Sequence, residues 1–312
     1  MNFDLSDDQR EIKRTARELL TARVRLREHA EAGTYDDALW TELVGLGWPG
    51  IGVELGAVEL VVLAEELGYA LAPVPFLSTA AAALALAGDG RLPDVVGGRT
   101  RATVGEKIGS RAGLVADVVD SELVVLLDGD RALLLESPSA VAVETIDSTR
   151  RFGSVEANDG TELAIDVAAV RDRIALAVAA ESVGVAQRML EGTVAYAKER
   201  EQFGQPIGIH QAVSHRCAQM LLETECARSA CLYAAWAADH EPASLPLAAS
   251  SAKAYASDAG YRVTAAALQL HGGIGFTWEH DLHFFLKRAR VNGHLFGSAR
   301  EHRERVATLI CA

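Results

Sequence analysis

Cysteine and lysine are scarce in this sequence of 312 residues, which has four cysteines and 5 lysines against 25 arginines. The spacing of the cysteines fits neither a CxxC zinc knuckle nor a regular disulfide framework. Three of them fall in one helical stretch, so we expect them to be reduced core residues. The histidines have no metal-ligand register, and we predict no metal site. The cysteines are Cys217, Cys226, Cys231 and Cys311.

A long apolar run is also missing. The longest one extends from Phe76 to Gly88 and is too short and too rich in alanine to cross a bilayer. The N-terminal segment MNFDLSDDQREIKR is charged and lacks the apolar centre of a signal peptide. We therefore expect a cytoplasmic protein without a membrane-spanning part.

The overall charge is acidic, with a formal net charge of −13. A chain of this sign repels the phosphates of nucleic acids, so we predict no nucleic-acid partner. An anionic small-molecule ligand is not excluded, because a local cluster of arginines could bind it. The chain is long enough for two or three domains with a large buried core.

Helical and β-rich patterns follow one another in three blocks. Apolar residues recur at helical spacing in residues 1–101, which predicts an N-terminal helical domain. Short β-rich runs in residues 102–166, with a hairpin signal at Asp128-Gly129-Asp130, predict a small antiparallel β domain of roughly four to six strands. Long helical patterns in residues 167–312 predict a C-terminal four-helix bundle. The expected fold class is α+β and mostly α.

Two long segments carry the most specific signal. The first is YAKEREQFGQPIGIHQ, residues 196–211, and the second is QLHGGIGFT, residues 269–277. In order and spacing they resemble the two signature segments of the acyl-CoA dehydrogenase family. A lone GGxG would mean little, but two long segments at the family's spacing make the resemblance specific. It covers the C-terminal bundle closely and the N-terminal block more loosely.

The resemblance implies an FAD that lies between subunits, with its pyrophosphate and adenine held by a neighbour's bundle. Arg200 can donate a forked pair of hydrogen bonds to a pyrophosphate. Gln202 and Phe203 would meet the nucleotide half, and the glycines near residue 272 let the backbone approach closely. Each residue also has a plainer explanation, such as a solvated helix end or a helix-terminating glycine. The implied cofactor-binding residues are Arg200, Gln202, Phe203, Gln211, Gln269, Gly272 and Gly273.

The catalytic base is absent from the positions where the family carries it. The family removes the α proton of an acyl-CoA thioester with a carboxylate while the β hydride passes to the flavin. At its two base positions this sequence has Phe296 and Ile174, and neither side chain accepts a proton. Glu181 lies two turns beyond Ile174, about 10 Å along the helix axis. We favour a buried carboxylate paired with an arginine there, with a catalytic base as the weaker alternative, and we predict no catalytic residue.

The middle block departs from the family as well, since no tryptophan lies between Trp48 and Trp236 to face a flavin ring. Groups that would clamp a neighbour's FAD are kept, whereas groups that would hold the chain's own ring are absent. This pattern resembles the short subunits of the α2β2 acyl-CoA dehydrogenases of actinobacterial steroid breakdown. It implies a larger homologous partner with the catalytic Glu, a steroid-derived acyl-CoA substrate, and an electron-transfer flavoprotein or a similar acceptor.

Two other hypotheses remain open. One is a self-sufficient homomeric dehydrogenase with Glu181 as its base, which predicts a flavin-bearing and active protein on its own. The other is a non-enzymatic scaffold that binds acyl-CoA or a nucleotide without flavin.

Overall fold

The chain begins with a block of helices, as predicted; the computed structural model describes residues 4–157 and 160–311. The first helix starts at a capping box, in which the Ser6 hydroxyl accepts a hydrogen bond from the backbone N–H of Gln9 and the Gln9 side chain accepts one from Ser6. The fifth ends where Leu71 takes a left-handed conformation. The helices are α1 (Asp7–Arg23), α2 (Leu26–Ala32), α3 (Asp37–Gly45), α4 (Ile51–Glu54), α5 (Ala57–Ala70), α6 (Phe76–Ala85) and α7 (Leu92–Val96).

A β-rich block follows, and its described part forms two small sheets. The strands are β1 (Ala102–Glu106), β2 (Arg111–Ala116), β3 (Leu123–Asp128), β4 (Arg131–Glu136), β5 (Ala140–Val143), β6 (Phe152–Glu156) and β7 (Thr161–Leu163). One sheet has the order β1-β3-β4-β7 and the other has the order β2-β6-β5. The predicted hairpin joins β3 to β4 through Gly129, whose φ is +63°. The sequence patterns missed β6 and β7.

The pairing within these sheets is antiparallel with one exception. β1 and β3 run parallel, whereas we expected antiparallel strands throughout. The reason is that β2 lies between them in the chain but belongs to the other sheet. The chain therefore crosses over through β2 and returns in the same direction, as parallel neighbours require.

The C-terminal block is a bundle, which confirms that prediction. Its helices are α8 (Val167–Glu199), α9 (Gln211–His240), α10 (Leu245–His271), α11 (Leu282–Asn292) and α12 (Ala299–Cys311), with a short hairpin of β8 (Glu201–Gln202) and β9 (Gln205–Pro206) between α8 and α9. The fourth helical stretch is thus divided in two by the turn at residues 293–298.

Small residues bring the N-terminal helices into contact with the bundle. A Cβ atom added at Gly184 of α8 would lie 1.8 Å from the Glu65 carbonyl oxygen, and one added at Gly68 of α5 would lie 2.2 Å from the Glu181 carbonyl oxygen. The backbones of α5 and α8 therefore touch, which only glycine permits at these two positions.

The cysteines differ from the expectation. All four are free, but only Cys231 is buried, and its burial raises the pKa of the thiol. Cys217 is half-buried and Cys226 is exposed, because the first half of α9 presents most of its surface to the outside. Helical spacing alone did not reveal which side of α9 the bundle covers. Among the described helices, none is long and apolar enough to cross a membrane.

Candidate functional site

One end of the bundle brings the two signature segments together. Helices α8 and α10 end there and α9 begins there, because successive helices joined by short connections run antiparallel. The Tyr196 ring of the first segment stacks on the His271 ring of the second, with 4.3 Å between their centroids. The Tyr196 hydroxyl also lies 3.4 Å from the His271 carbonyl oxygen. Segments far apart in the chain therefore form one surface, which we call the bundle end.

The hairpin between α8 and α9 projects an aromatic ring from this surface. Phe203 and Gly204 form its turn with φ values of +54° and +78°, the signs that a tight type I′ turn requires. Glycine adopts this conformation freely, but for phenylalanine it costs about 1–2 kcal/mol. The Phe203 side chain is nevertheless 94% exposed, so packing within the chain does not offset that cost. Such an outlier points to a ligand or a partner.

The other residues that the resemblance implied lie on the same surface. The Arg200 guanidinium has no hydrogen-bond or ion-pair partner among the described residues. The backbone at Gly272 has a φ of +64°, and a Cβ atom added at Gly272 or Gly273 would meet nothing within 4 Å. All seven implied residues are exposed: Arg200, Gln202, Phe203, Gln211, Gln269, Gly272 and Gly273. An unpaired cation beside accessible backbone suits the pyrophosphate of a dinucleotide that is reached from outside the chain.

Sequence reasoning missed an apolar patch beside the glycines. Ile274, Phe276 and Trp278 are 42%, 72% and 71% exposed, and Ile209 next to the hairpin is 56% exposed. Large apolar side chains clustered on a surface indicate an interaction site. The alternation of apolar residues just after the GGxG segment was the signal that could have revealed it.

The residues predicted from the sequence to occupy the family's base positions meet elsewhere, in a cavity of about 290 Å³ that we call the inner cavity. Phe296 and Ile174 both line it, together with apolar residues of α6, β1 and β2. One carboxylate that sequence reasoning did not single out, Glu106, also lines it, and its Oε1 lies 3.2 Å from Nε of Arg171. Glu181 is not among the residues that line the inner cavity.

Glu181 instead belongs to a buried network that joins the β block to the bundle. Its carboxylate accepts hydrogen bonds from Arg150 at 2.5 Å, from Arg288 at 2.8 Å and from Asn292 at 2.6 Å. Arg288 also donates to Asp147 at 2.7 Å. Burial raises the pKa of Glu181, but the charges of Arg150 and Arg288 outweigh it and leave the pKa below its usual value. The arginine-paired carboxylate that we favoured from the sequence is the arrangement observed.

The turn at residues 293–298 holds Phe296 in an unusual backbone conformation. Its φ is +52°, and that of Gly297 is +96°. Lys253, fully buried at 0% exposure, donates to the carbonyl oxygens of Gly297 and Asn292, both at 2.9 Å. His302 Nε2 lies 2.8 Å from the Phe296 carbonyl oxygen. Two buried basic side chains thus maintain a conformation that phenylalanine disfavours.

A second strained residue lies behind the inner cavity. Asp117 is buried, has a φ of +61° and accepts a hydrogen bond from the hydroxyl of Ser78, which itself lines the cavity. Its other oxygen, Oδ1, has no hydrogen-bond partner in the described part of the chain. Burial raises the pKa of Asp117 to about 7 despite the nearby charges of Arg150 and Arg151. A protonated carboxyl is therefore the favoured form below neutral pH.

Metal coordination has no support in the described residues, where no group of three or more His, Cys, Asp or Glu side chains could hold an ion.

Comparison with known proteins assigns both helical parts of the chain. Residues 6–90 match the protein-family model for the acyl-CoA dehydrogenase N-terminal domain. Residues 158–310 match the protein-family model for the acyl-CoA dehydrogenase C-terminal domain. A relative named acyl-CoA dehydrogenase IpdE2, from Mycolicibacterium smegmatis, is 36% identical over 294 residues, which cover 91% of each chain.

Solved structures agree over nearly the whole chain. The "Tcur3481-Tcur3483 steroid ACAD G363A variant" superposes with a TM-score of 0.89 at 29% identity and covers 98% of both chains. The ChsE4-ChsE5 complex from Mycobacterium tuberculosis superposes with a TM-score of 0.88 at 22% identity, covering 100% of this chain and 99% of that one. The second likeness shows the shared fold.

Proposed function

The chain belongs to the acyl-CoA dehydrogenase family, and we propose that within it the chain is a subunit that completes the FAD site of a larger partner. The observation that carries this proposal is the separation of two surfaces. The residues implied in FAD binding face outward at the bundle end, whereas Phe296 and Ile174, at the predicted base positions, line the inner cavity. A cofactor at the bundle end is accessible to a second subunit.

The bundle-end residues have distinct roles in this proposal. Arg200 donates charge-assisted hydrogen bonds to the pyrophosphate, and Phe203 covers the nucleotide half with its ring. Gln202, Gln211 and Gln269 have both donor and acceptor groups for the dinucleotide, and the glycines after Gln269 leave room for it. FAD, when bound, supplies the oxidant for the hydride that leaves the β carbon of the thioester.

The partner in this proposal is a larger homologue that contributes the catalytic glutamate and the flavin-ring pocket. The substrate is a steroid-derived acyl-CoA, and an electron-transfer flavoprotein or a similar acceptor reoxidises the flavin. Support for this substrate class comes from the relative described as a steroid ACAD, at 29% identity over 98% of both chains. The name of that relative also joins two proteins, Tcur3481 and Tcur3483, which supports a heteromeric assembly.

The homomeric alternative with Glu181 as base has less support. A general base must reach the proton that it removes, but Glu181 is 5% exposed and its carboxylate accepts hydrogen bonds from three side chains. Its lowered pKa also weakens it as a base. The scaffold alternative predicts ligand binding without flavin, which the experiment below detects.

The test is to purify the chain alone and after co-expression with a larger homologue that carries the glutamate. We expect no flavin and no dye reduction with any acyl-CoA for the chain alone. The complex should contain about half an FAD per chain and turn over a steroid-derived acyl-CoA. Robust flavin and turnover in the chain alone would contradict the proposal, as would a complex without flavin.

A matched pair of variants assigns the site to the bundle end. Arg200→Gln should reduce FAD retention by the complex about tenfold or more, because a charge-assisted contact to the pyrophosphate is lost. Arg300→Gln removes another exposed arginine, on α12, which forms an ion pair with Glu304 of the same helix. This control should retain FAD like the parent complex.

A further inference from the structure

Phe296 forms part of the wall between two spaces. On one side is the inner cavity, and on the other is a surface depression of about 350 Å³ that we call the outer depression. The outer depression is lined by charged and polar side chains of both signs, which include Arg171, Arg305 and the carboxylate of Glu301. Of the described residues, only Phe296 and Glu106 line both spaces. We propose that the Phe296 ring blocks the passage between the inner cavity and the outer depression, so that the inner cavity is too short for a long acyl chain, and that it is thereby the residue that reserves substrate binding for the partner.

The contents of the inner cavity support this role. At about 290 Å³ it is at the lower limit of small-molecule sites, which usually span about 300–1,000 Å³. Ile174 is fully buried at 0% exposure in its wall, and Leu77 of α6 and Leu114 of β2 add apolar surface. The walls therefore suit an apolar chain. The cavity is open beside the exposed side chains of Ile108 and Leu114, and at its other end the Phe296 ring separates it from the outer depression.

The backbone around the ring is built to keep it there. Phe296 packs against the core cluster that contains Ile174, even though its φ of +52° belongs to a region that favours glycine. The turn cannot relax freely, because Lys253 holds the Gly297 carbonyl and His302 holds the Phe296 carbonyl. A Cβ atom at Gly297 would lie 2.7 Å from Nε2 of His302, so the chain is tightly enclosed on that side as well.

Removal of the ring would join the two spaces into one pocket. Its inner part would be mostly apolar, and its outer part would be polar, with Arg171 paired to Glu106 and Arg305 paired to Asp172. Such a pocket suits a chain with an apolar tail and a polar head. The inference rests on the proposed function only in its account of why the passage is blocked; whether it is blocked can be measured without FAD or a partner.

The experiment uses the full chain and sodium decanoate as the probe, with binding followed by calorimetry below the micelle concentration. Phe296→Gly removes the ring and also suits the positive φ, so the turn keeps its conformation. We expect this variant to bind decanoate about tenfold more tightly than the parent chain or better. Leu55→Gly is the control, since it removes an exposed apolar side chain that lines neither space; its affinity should stay within about twofold of the parent value.

An affinity of Phe296→Gly within about twofold of the parent would overturn the inference, and so would an equal gain in Leu55→Gly. If Phe296→Gly gives no cooperative melting curve, Phe296→Leu decides by the same comparison, with an expected gain of about threefold. The FAD content of the co-expressed complex is measured in parallel. If Phe296→Gly binds decanoate more tightly but the complex lacks FAD, the proposed function fails and this inference stands. If the complex has its normal FAD content but the decanoate affinity is unchanged, this inference alone fails.

Discussion

At the scale of single residues, Glu181 is a carboxylate that stabilises the fold and does not line the inner cavity. It neutralises Arg150 and Arg288, which come from the β block and from α11 and are both buried. Burial of an unpaired charge is costly, whereas a paired and hydrogen-bonded charge is tolerated. Glu181 therefore connects three parts of the chain, and its loss would leave two buried cations with Asp147 alone.

We predict that Glu181→Gln lowers the free energy of unfolding by about 3–5 kcal/mol, because it breaks a buried ion pair from one side. Urea denaturation followed by circular dichroism measures the change. Glu18→Gln is the control, since Glu18 pairs with Arg14 on the exposed face of α1 and should change the value by less than about 0.5 kcal/mol. A small effect at both positions would show that the network contributes little.

Asp117 makes a prediction about pH. Its pKa in the folded chain, about 7, is above the ordinary value, so the folded state holds a proton that the unfolded state releases. The stability contributed by this proton is fully present below a pH of about 4 and is lost as the pH rises through about 7. In Asp117→Asn this loss is absent, so the variant should gain stability relative to the parent chain between pH 5 and pH 8, by about 1–3 kcal/mol.

Unfolding curves at pH 5 and pH 8 give the difference in free energy of unfolding between the parent and Asp117→Asn at each pH. The Asp117 effect is the change in that difference between the two pH values. Asp120→Asn, at a half-buried acid in the same segment, is the control. An Asp117→Asn curve parallel to that of the parent at both pH values would mean that Asp117 is ionised throughout.

At the scale of elements, the contact between α5 and α8 depends on glycine. Gly184→Ala should destabilise the chain by about 1–3 kcal/mol or more, because the added methyl would clash with the backbone of α5. Gly192 lies on the same helix with nothing within 4 Å of an added Cβ, so Gly192→Ala should stabilise by up to about 1 kcal/mol. Thermal melting compares the two, and effects of the same sign would contradict the close packing.

At the bundle end, the shape of the connecting hairpin has a local cause, whereas its position depends on distant parts of the chain. The hairpin of β8 and β9 follows from a local turn at Phe203 and Gly204. Its place beside the GGxG segment follows from the lengths of α8 and α10, which carry both segments to one end of the bundle.

At the scale of the whole molecule, the exposed apolar patch at the bundle end should become covered in a complex. Phe276→Ser should weaken association with the larger homologue about tenfold or more, since aromatic residues at the centre of an interface contribute strongly to binding. Leu55→Ser is the control: Leu55 is 65% exposed and lies near Asp239, at the opposite end of the bundle. Sedimentation of mixtures over a concentration series measures both, and equal association of the two variants would place the interface elsewhere.

The sequence alone determined the order of the helical and β-rich blocks and indicated the family. Helical periodicity, capping residues and β-rich runs predicted the order of the blocks, because these signals depend on neighbours within a few residues. The two signature segments indicated the family for the same reason, since each is continuous in the chain. The residue types at positions 174 and 296 could also be read directly.

Only the tertiary structure decided which distant residues meet. The parallel pairing of β1 with β3, the outward position of Cys226 and the two arginines around Glu181 all depend on contacts between separate elements. The meeting of Phe296 with Ile174 at one cavity likewise depends on how the last turn packs against α8. A local pattern specifies an element and its apolar face, but the partner of that face is set by the packing of the whole chain.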